Sequence, residues 1–108
     1  MNQDTCRIDV WLWRARFFKS RSLACHFVEE GRVRLTRSGR EGRIEKASHA
    51  VKPDDALVFA LSGRVFAVRI AVLGVRRGPP SEARALYNSL DENAAAQENS
   101  AAALQEQR

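Results

Sequence analysis

The apolar positions of this 108-residue chain change period along its length. Ile8, Leu12 and Ala15 fall at helical spacing, with Trp11, Ala15 and Phe18 as a second stripe, and together they predict a helix over 8–18. Asp9 stands where it can cap that helix or sit in its first turn, near the positive end of the dipole. A short break at Lys19–Ser20 precedes a second helix over about 21–30, capped by Ser20 or Ser22, with Leu23, Ala24, Phe27 and Val28 as its apolar stripe. Gly31 follows Glu29 and Glu30 and ends that helix in a left-handed conformation. The period then becomes two. Arg32-Val33-Arg34-Leu35 alternates basic and apolar, which puts both arginines on one face of a strand and both apolar side chains on the core face. Thr36 to Gly42 is polar and glycine-containing, a hairpin loop, and Ile44 and Val51 mark the returning chain. Pro53-Asp54-Asp55 reads as a turn, Ala56–Leu61 as a strand, Ser62-Gly63-Arg64 as a tight turn and Val65–Leu73 as a further strand. Gly78-Pro79-Pro80 breaks the chain, and Ser81 caps a last helix carrying Ala83, Leu86, Tyr87 and Leu90. The order α-α-β-β-β-β-α describes an α+β domain: two N-terminal helices packed on a small antiparallel sheet, with a short C-terminal helix.

Charge sharpens this picture. Residues 7–52 hold twelve lysines and arginines against five acids, a net +7 that exceeds the +5 of the whole chain. A small domain carries such self-repulsion most readily when its partner is a polyanion. Most of the twelve are arginine, which suits bidentate phosphate contact and stacking. The last segment, 91–108, has one basic and four acidic residues and one large apolar side chain, Leu104. It is expected to be disordered or partly helical, an acidic tail on a domain spanning 7–90.

Other chemistries find little support. The longest mainly apolar run, Ala56–Leu61, is far too short to span a bilayer, and the first nine residues hold no apolar leader segment, so a cytoplasmic protein is expected. Cys6, Cys25, His26 and His49 match no common zinc spacing, and no metal or cofactor is expected. Neither a phosphate-binding glycine loop nor paired catalytic groups stand out, which favours a non-enzymatic protein. Cys25 is expected to be packed in the interior, and Trp13, off both apolar stripes, to be a partly exposed ring.

Arg7-Ile8-Asp9 opening a helix, Lys19-Ser20-Arg21 starting the next with Ala24 and Val28 inside it, and Gly31-Arg32-Val33-Arg34 leading into the sheet resemble the S4 RNA-binding domain. WLWRARFFKSRSLA at 11–24 and RRGPPSEARALY at 76–87 look like the small ribosome-associated, fifteen-kilodalton heat-shock protein family of that superfamily. The resemblance covers about residues 7–90 and implies an S4-like (αL-type) fold that binds RNA through the helix pair and first strand. It further implies association with free large ribosomal subunits that hold a tRNA-linked nascent chain, and help in recycling them under stress. Two features depart from the family pattern. Relatives usually have a short Asn-Gly-type turn after the first strand, where TRSGREG is longer and adds Arg37, Arg40 and Arg43. The long basic C-terminal extension of many relatives is replaced by the short acidic tail.

Arg7, Lys19, Arg21, Arg32 and Arg34 are the first candidates for phosphate contact, with Lys19 and Arg21 at a helix N-terminus whose free N–H groups also favour anions. Ser20 either bonds a phosphate oxygen or caps the helix. Arg14 and Arg16 either reach RNA or pair with Glu29, Glu30 or Asp9, while Asp9 orients Arg7 or Arg21. Arg37 and Lys46 extend the candidate set beyond the first strand. The combined expectation is a monomer that binds ribosomal RNA on the large subunit, with tRNA or DNA as further candidate partners and no membrane. Three rival classes remain: a helix-turn-helix-like DNA-binding regulator with a wing, an accessory subunit that targets an RNA-modifying enzyme, and a remnant enzyme using the His and Cys residues. The acids Glu29 and Glu30 at the end of the second helix weigh against the first.

Overall fold

The computed structural model describes residues 4–90. It contains β1 (Cys6–Arg7), α1 (Ile8–Arg14), α2 (Arg21–Glu29), β2 (Val33–Arg37), β3 (Arg40–Ile44), β4 (Ala50–Val51), β5 (Ala56–Leu61), β6 (Arg64–Ile70), α3 (Pro80–Arg84) and β7 (Tyr87–Ser89). Five strands form an antiparallel sheet in the order β3-β2-β5-β6-β7, and β1 pairs separately with β4. The helix pair closes over the core face of the sheet: Ile8, Trp11, Leu12, Ala24 and Val28 are fully buried with Val33, Leu57 and Ile70. The acidic tail expected at 91–108 lies outside the described residues.

α1 is shorter than the 8–18 that its stripes predict. Arg16 takes φ 67°, in the left-handed region, and the Phe17 N–H bonds the Leu12 carbonyl across the turn at 3.0 Å. The break sends two adjacent rings to different neighbours. Phe17 packs edge-on against Phe59 and Phe66, while Phe18 lies 5.0 Å from Phe27. Aromatic burial on both sides is worth more than the helical bonds given up. α2 follows expectation: the Ser20 hydroxyl accepts the Leu23 N–H at 3.1 Å, and Gly31 ends the helix at φ 75°. Leu23, placed on the apolar stripe of that helix, is instead half exposed.

The segment 36–42 is mostly strand rather than loop. β2 runs through Arg37 and β3 begins at Arg40, joined by Ser38 and Gly39 at φ 54° and 79°. Two consecutive left-handed residues give the tight turn whose twist suits a two-residue hairpin. β3 is polar because it is an edge strand with four of its five residues exposed, so it lacks the apolar alternation that marks a strand in sequence. The β5–β6 hairpin has the same turn geometry at Ser62 and Gly63.

The last helix also differs from expectation. It starts at Pro80, not Ser81, and ends at Arg84. The chain then pairs with the open edge of β6, Tyr87 opposite Ile70 and Ser89 opposite Val68. Strand pairing satisfies the backbone there and places Tyr87 beside Phe17 and Trp11, whereas Leu90 stays exposed.

Candidate nucleic-acid interface

The basic residues divide by what their side chains touch. Two buried carboxylates each hold one arginine. Asp9 accepts Nε and Nη2 of Arg7 at 3.0 and 2.9 Å, and its Oδ1 also accepts the Val10 N–H. Asp55, 1% exposed, accepts Nε and Nη2 of Arg37 at 2.9 and 2.6 Å and the Lys52 N–H at 3.0 Å. Each carboxylate raises its arginine's pKa, first through the side-chain hydrogen bond. Arg37 also donates to the Ala50 carbonyl, so it ties β2 to the β4 region. Of the two orientations expected of Asp9, the structure shows the one toward Arg7; that arginine is half exposed and keeps an outward face.

A second group grips the backbone. Arg14 Nη1 donates to the Gly74 carbonyl at 2.9 Å, and Arg16 Nε to that of Gly78 at 2.7 Å. Arg77 returns the contact: its Nε donates to the Trp13 carbonyl at 3.1 Å and its Nη2 to that of Phe18 at 3.4 Å. Trp13 is close to the C-terminal end of α1, where the dipole favours a cation, and its carbonyl also accepts the Arg16 N–H at 3.0 Å. Three arginines thus form a clasp between the α1–α2 connection and the 74–78 segment. Of the two options for Arg14 and Arg16, pairing with Glu29, Glu30 or Asp9 is not what the structure shows: these carbonyls take their donors instead.

The remaining candidates present their charge outward. Arg32 pairs with Glu30 at 3.2 Å and lies 4.4 Å above the Phe27 ring, and Arg34 pairs with Glu41 at 2.7 Å. All four of these ionic side chains are about half exposed, so each pair is weak and readily exchanged for a phosphate. Lys19, Arg21, Arg40, Arg43 and Lys46 are exposed, and their side chains make no hydrogen bond or ion pair within the described residues. Lys19 and Arg21 flank the Ser20 cap at the start of α2, and the Ser20 hydroxyl is occupied by that cap. Beside them a shallow groove of about 330 Å³ is lined by Asp9, Arg21, Ser22, Cys25 and His26.

Arg77 and Asp55 had no signal that sequence reasoning used. Arg77 stood inside the RRGPPSEARALY motif without an assigned partner, and Asp55 stood in a turn that reads as exposed. Trp13 is half-buried, and Cys25 is half-buried rather than fully packed away. Burial pushes both thiols above their ordinary value, which keeps them protonated near neutrality. Among the described residues no three His, Cys, Asp or Glu side chains converge as a metal site, and no helix is long and apolar enough to cross a membrane.

The fold and this basic helix–strand face define an S4-domain RNA-binding protein, and the S4 domain family profile matches residues 6–35. The chain is 33% identical to heat shock protein 15 of Escherichia coli (strain K12) over 97 residues, covering 90% of this chain and 69% of that protein. It is 30% identical over 91 residues to the heat shock protein 15 homolog of Haemophilus influenzae, covering 84% of this chain and 66% of that one. A trimeric structure of Vibrio cholerae heat shock protein 15 superimposes with a TM-score of 0.72 at 28% identity, covering 95% of this chain and 97% of that one. The chain belongs to the heat shock protein 15 family.

Proposed function

We propose that this protein is a non-catalytic RNA-binding protein that engages structured ribosomal RNA, on the free large ribosomal subunit carrying a stalled nascent chain-tRNA, and assists its recycling under stress in the cytoplasm. The observation that carries the reading is the run of uncommitted cations at the start of α2 and along the β2–β3 hairpin of an S4 fold. Lys19, Arg21 and Lys46 contact phosphates directly, and Arg7, Arg32 and Arg34 join them with their exposed sides. Ser20 fixes the start of α2. Arg14, Arg16 and Arg37 shape the surface from behind, since their nitrogens hold carbonyls or a buried carboxylate. Such a surface reads backbone shape rather than base sequence.

The RNA-binding unit is residues 7–90, acting as a monomer; light scattering on the purified chain checks this, the Vibrio cholerae relative having been solved as a trimer. The functional test is co-sedimentation with ribosomal fractions from lysate at low and high salt. Enrichment on free large subunits that is lost at high salt supports the reading, because neutralised phosphates release counterions. Absence from every ribosomal fraction, with binding to duplex DNA retained, refutes it in favour of a regulator.

A further inference from the structure

The β2–β3 hairpin turns tightly at Ser38 and Gly39, unlike the longer loop expected of TRSGREG, and one side of it carries a groove. The groove has a volume of about 380 Å³, within the range of small-ligand sites. Its floor is apolar: Leu35 and Ile44, both buried, with Gly42 of β3 paired opposite Leu35 of β2. A β-carbon added at Gly42 would meet no atom within 4 Å, so the glycine leaves an open gap and not a packed contact. Glycine inside a strand weakens it and often marks where a ligand approaches closely. Arg37, Arg40, Glu41, Arg43 and His49 line the rest of it.

Charge decides what fits. Arg34 and Arg37, the other arginines of this hairpin, are neutralised by Glu41 and Asp55. Arg40 and Arg43 have no such partner within the described residues. The Arg43 stem also passes close to the Gly31 backbone, its Cδ 3.1 Å from where a β-carbon would stand.

We propose that this groove binds a single unpaired nucleotide of the RNA. Its base lies over Leu35, Gly42 and Ile44, its flanking phosphates meet Arg40 and Arg43, and His49 closes one side. The proposal rests on the RNA-binding reading above and adds a preference for unpaired nucleotides next to a helical stem. Unpaired bases offer a flat apolar face that a paired stem withholds.

The test compares two RNA stems, identical except for one bulged adenosine, by fluorescence anisotropy with the full chain. The wild-type chain binds the bulged stem about fivefold or more tightly, because only that stem offers an unpaired base. Gly42→Val fills the gap at a strand position and abolishes the preference, while affinity for the plain stem and the melting temperature stay within error. Arg40→Gln with Arg43→Gln weakens the bulged complex more than the plain one. If the wild type binds both stems equally, or if Gly42→Val weakens both alike, the groove is overturned and the RNA-binding reading stands. If neither stem binds, both fail.

Discussion

Two regions of the molecule use arginine in opposite ways. At the junction of α1 with the 74–78 segment, Arg14, Arg16 and Arg77 point their nitrogens at backbone carbonyls. At the start of α2 and on the β2–β3 hairpin, Lys19, Arg21, Arg40 and Arg43 find no partner within the described residues. Both regions look alike in sequence, as basic residues among aromatic and polar ones. The difference teaches that net charge overstates the surface available to RNA. A guanidinium that caps the end of a helix has already exchanged its water for protein acceptors and gains little from a phosphate.

The comparison can be broken most forcefully from the structural side. Asp55→Ala removes the buried carboxylate that holds Arg37 and the Lys52 N–H, and losing those charge-assisted bonds costs about 2 kcal/mol. A drop of roughly 8 °C or more in melting temperature, followed by circular dichroism, is the expected outcome for a domain of this size. Arg21→Glu should act on the other side alone. RNA affinity measured by anisotropy falls by well over about tenfold, from a lost contact plus new repulsion, while the melting temperature holds. Arg77→Gln removes two charge-assisted bonds to carbonyls and should cost about 1–2 kcal/mol of stability. Its RNA affinity falls only as far as the α1–α2 connection loosens. Deleting 92–108 is the smallest change: a melting shift under about 2 °C and an unchanged RNA affinity fit a tail that contributes no core, and a larger melting shift would mean the tail is docked.

Much of this division was hidden in the sequence, for reasons of distance. The helix pair, the Ser20 cap, the Gly31 stop and the β5–β6 hairpin were legible, because each depends on residues a few positions apart. The end of α1 at Arg14, just before the left-handed Arg16, was not, since it follows from where Phe17 and Phe18 find room in the core. β3 reads as loop in the sequence because an exposed edge strand needs no apolar alternation, and β7 reads as helix because Ala83 and Leu86 keep helical spacing while the chain after them turns to pair with β6. In the basic set, Arg7 and Asp9 are two residues apart and their pairing was foreseen as one of two options. Arg14 meets Gly74 sixty positions away, and Arg37 meets Asp55 across the hairpin and β4. No local pattern announces partners at that range. Basic residues were therefore countable from the sequence, but which of them remain available was decided by tertiary contacts.

The central claim is that Arg21 faces phosphate while Arg77 holds the fold, and the salt dependence of RNA binding tests it most directly. The slope of log affinity against log salt would be measured for the wild-type chain, Arg21→Gln and Arg77→Gln, each with its melting temperature. Arg21→Gln should flatten the slope by about one with the melting temperature unchanged. Arg77→Gln should lower the melting temperature and leave the slope as it is. A flattened slope for Arg77→Gln, or an unaltered one for Arg21→Gln, would contradict the division of the arginines on which the account rests.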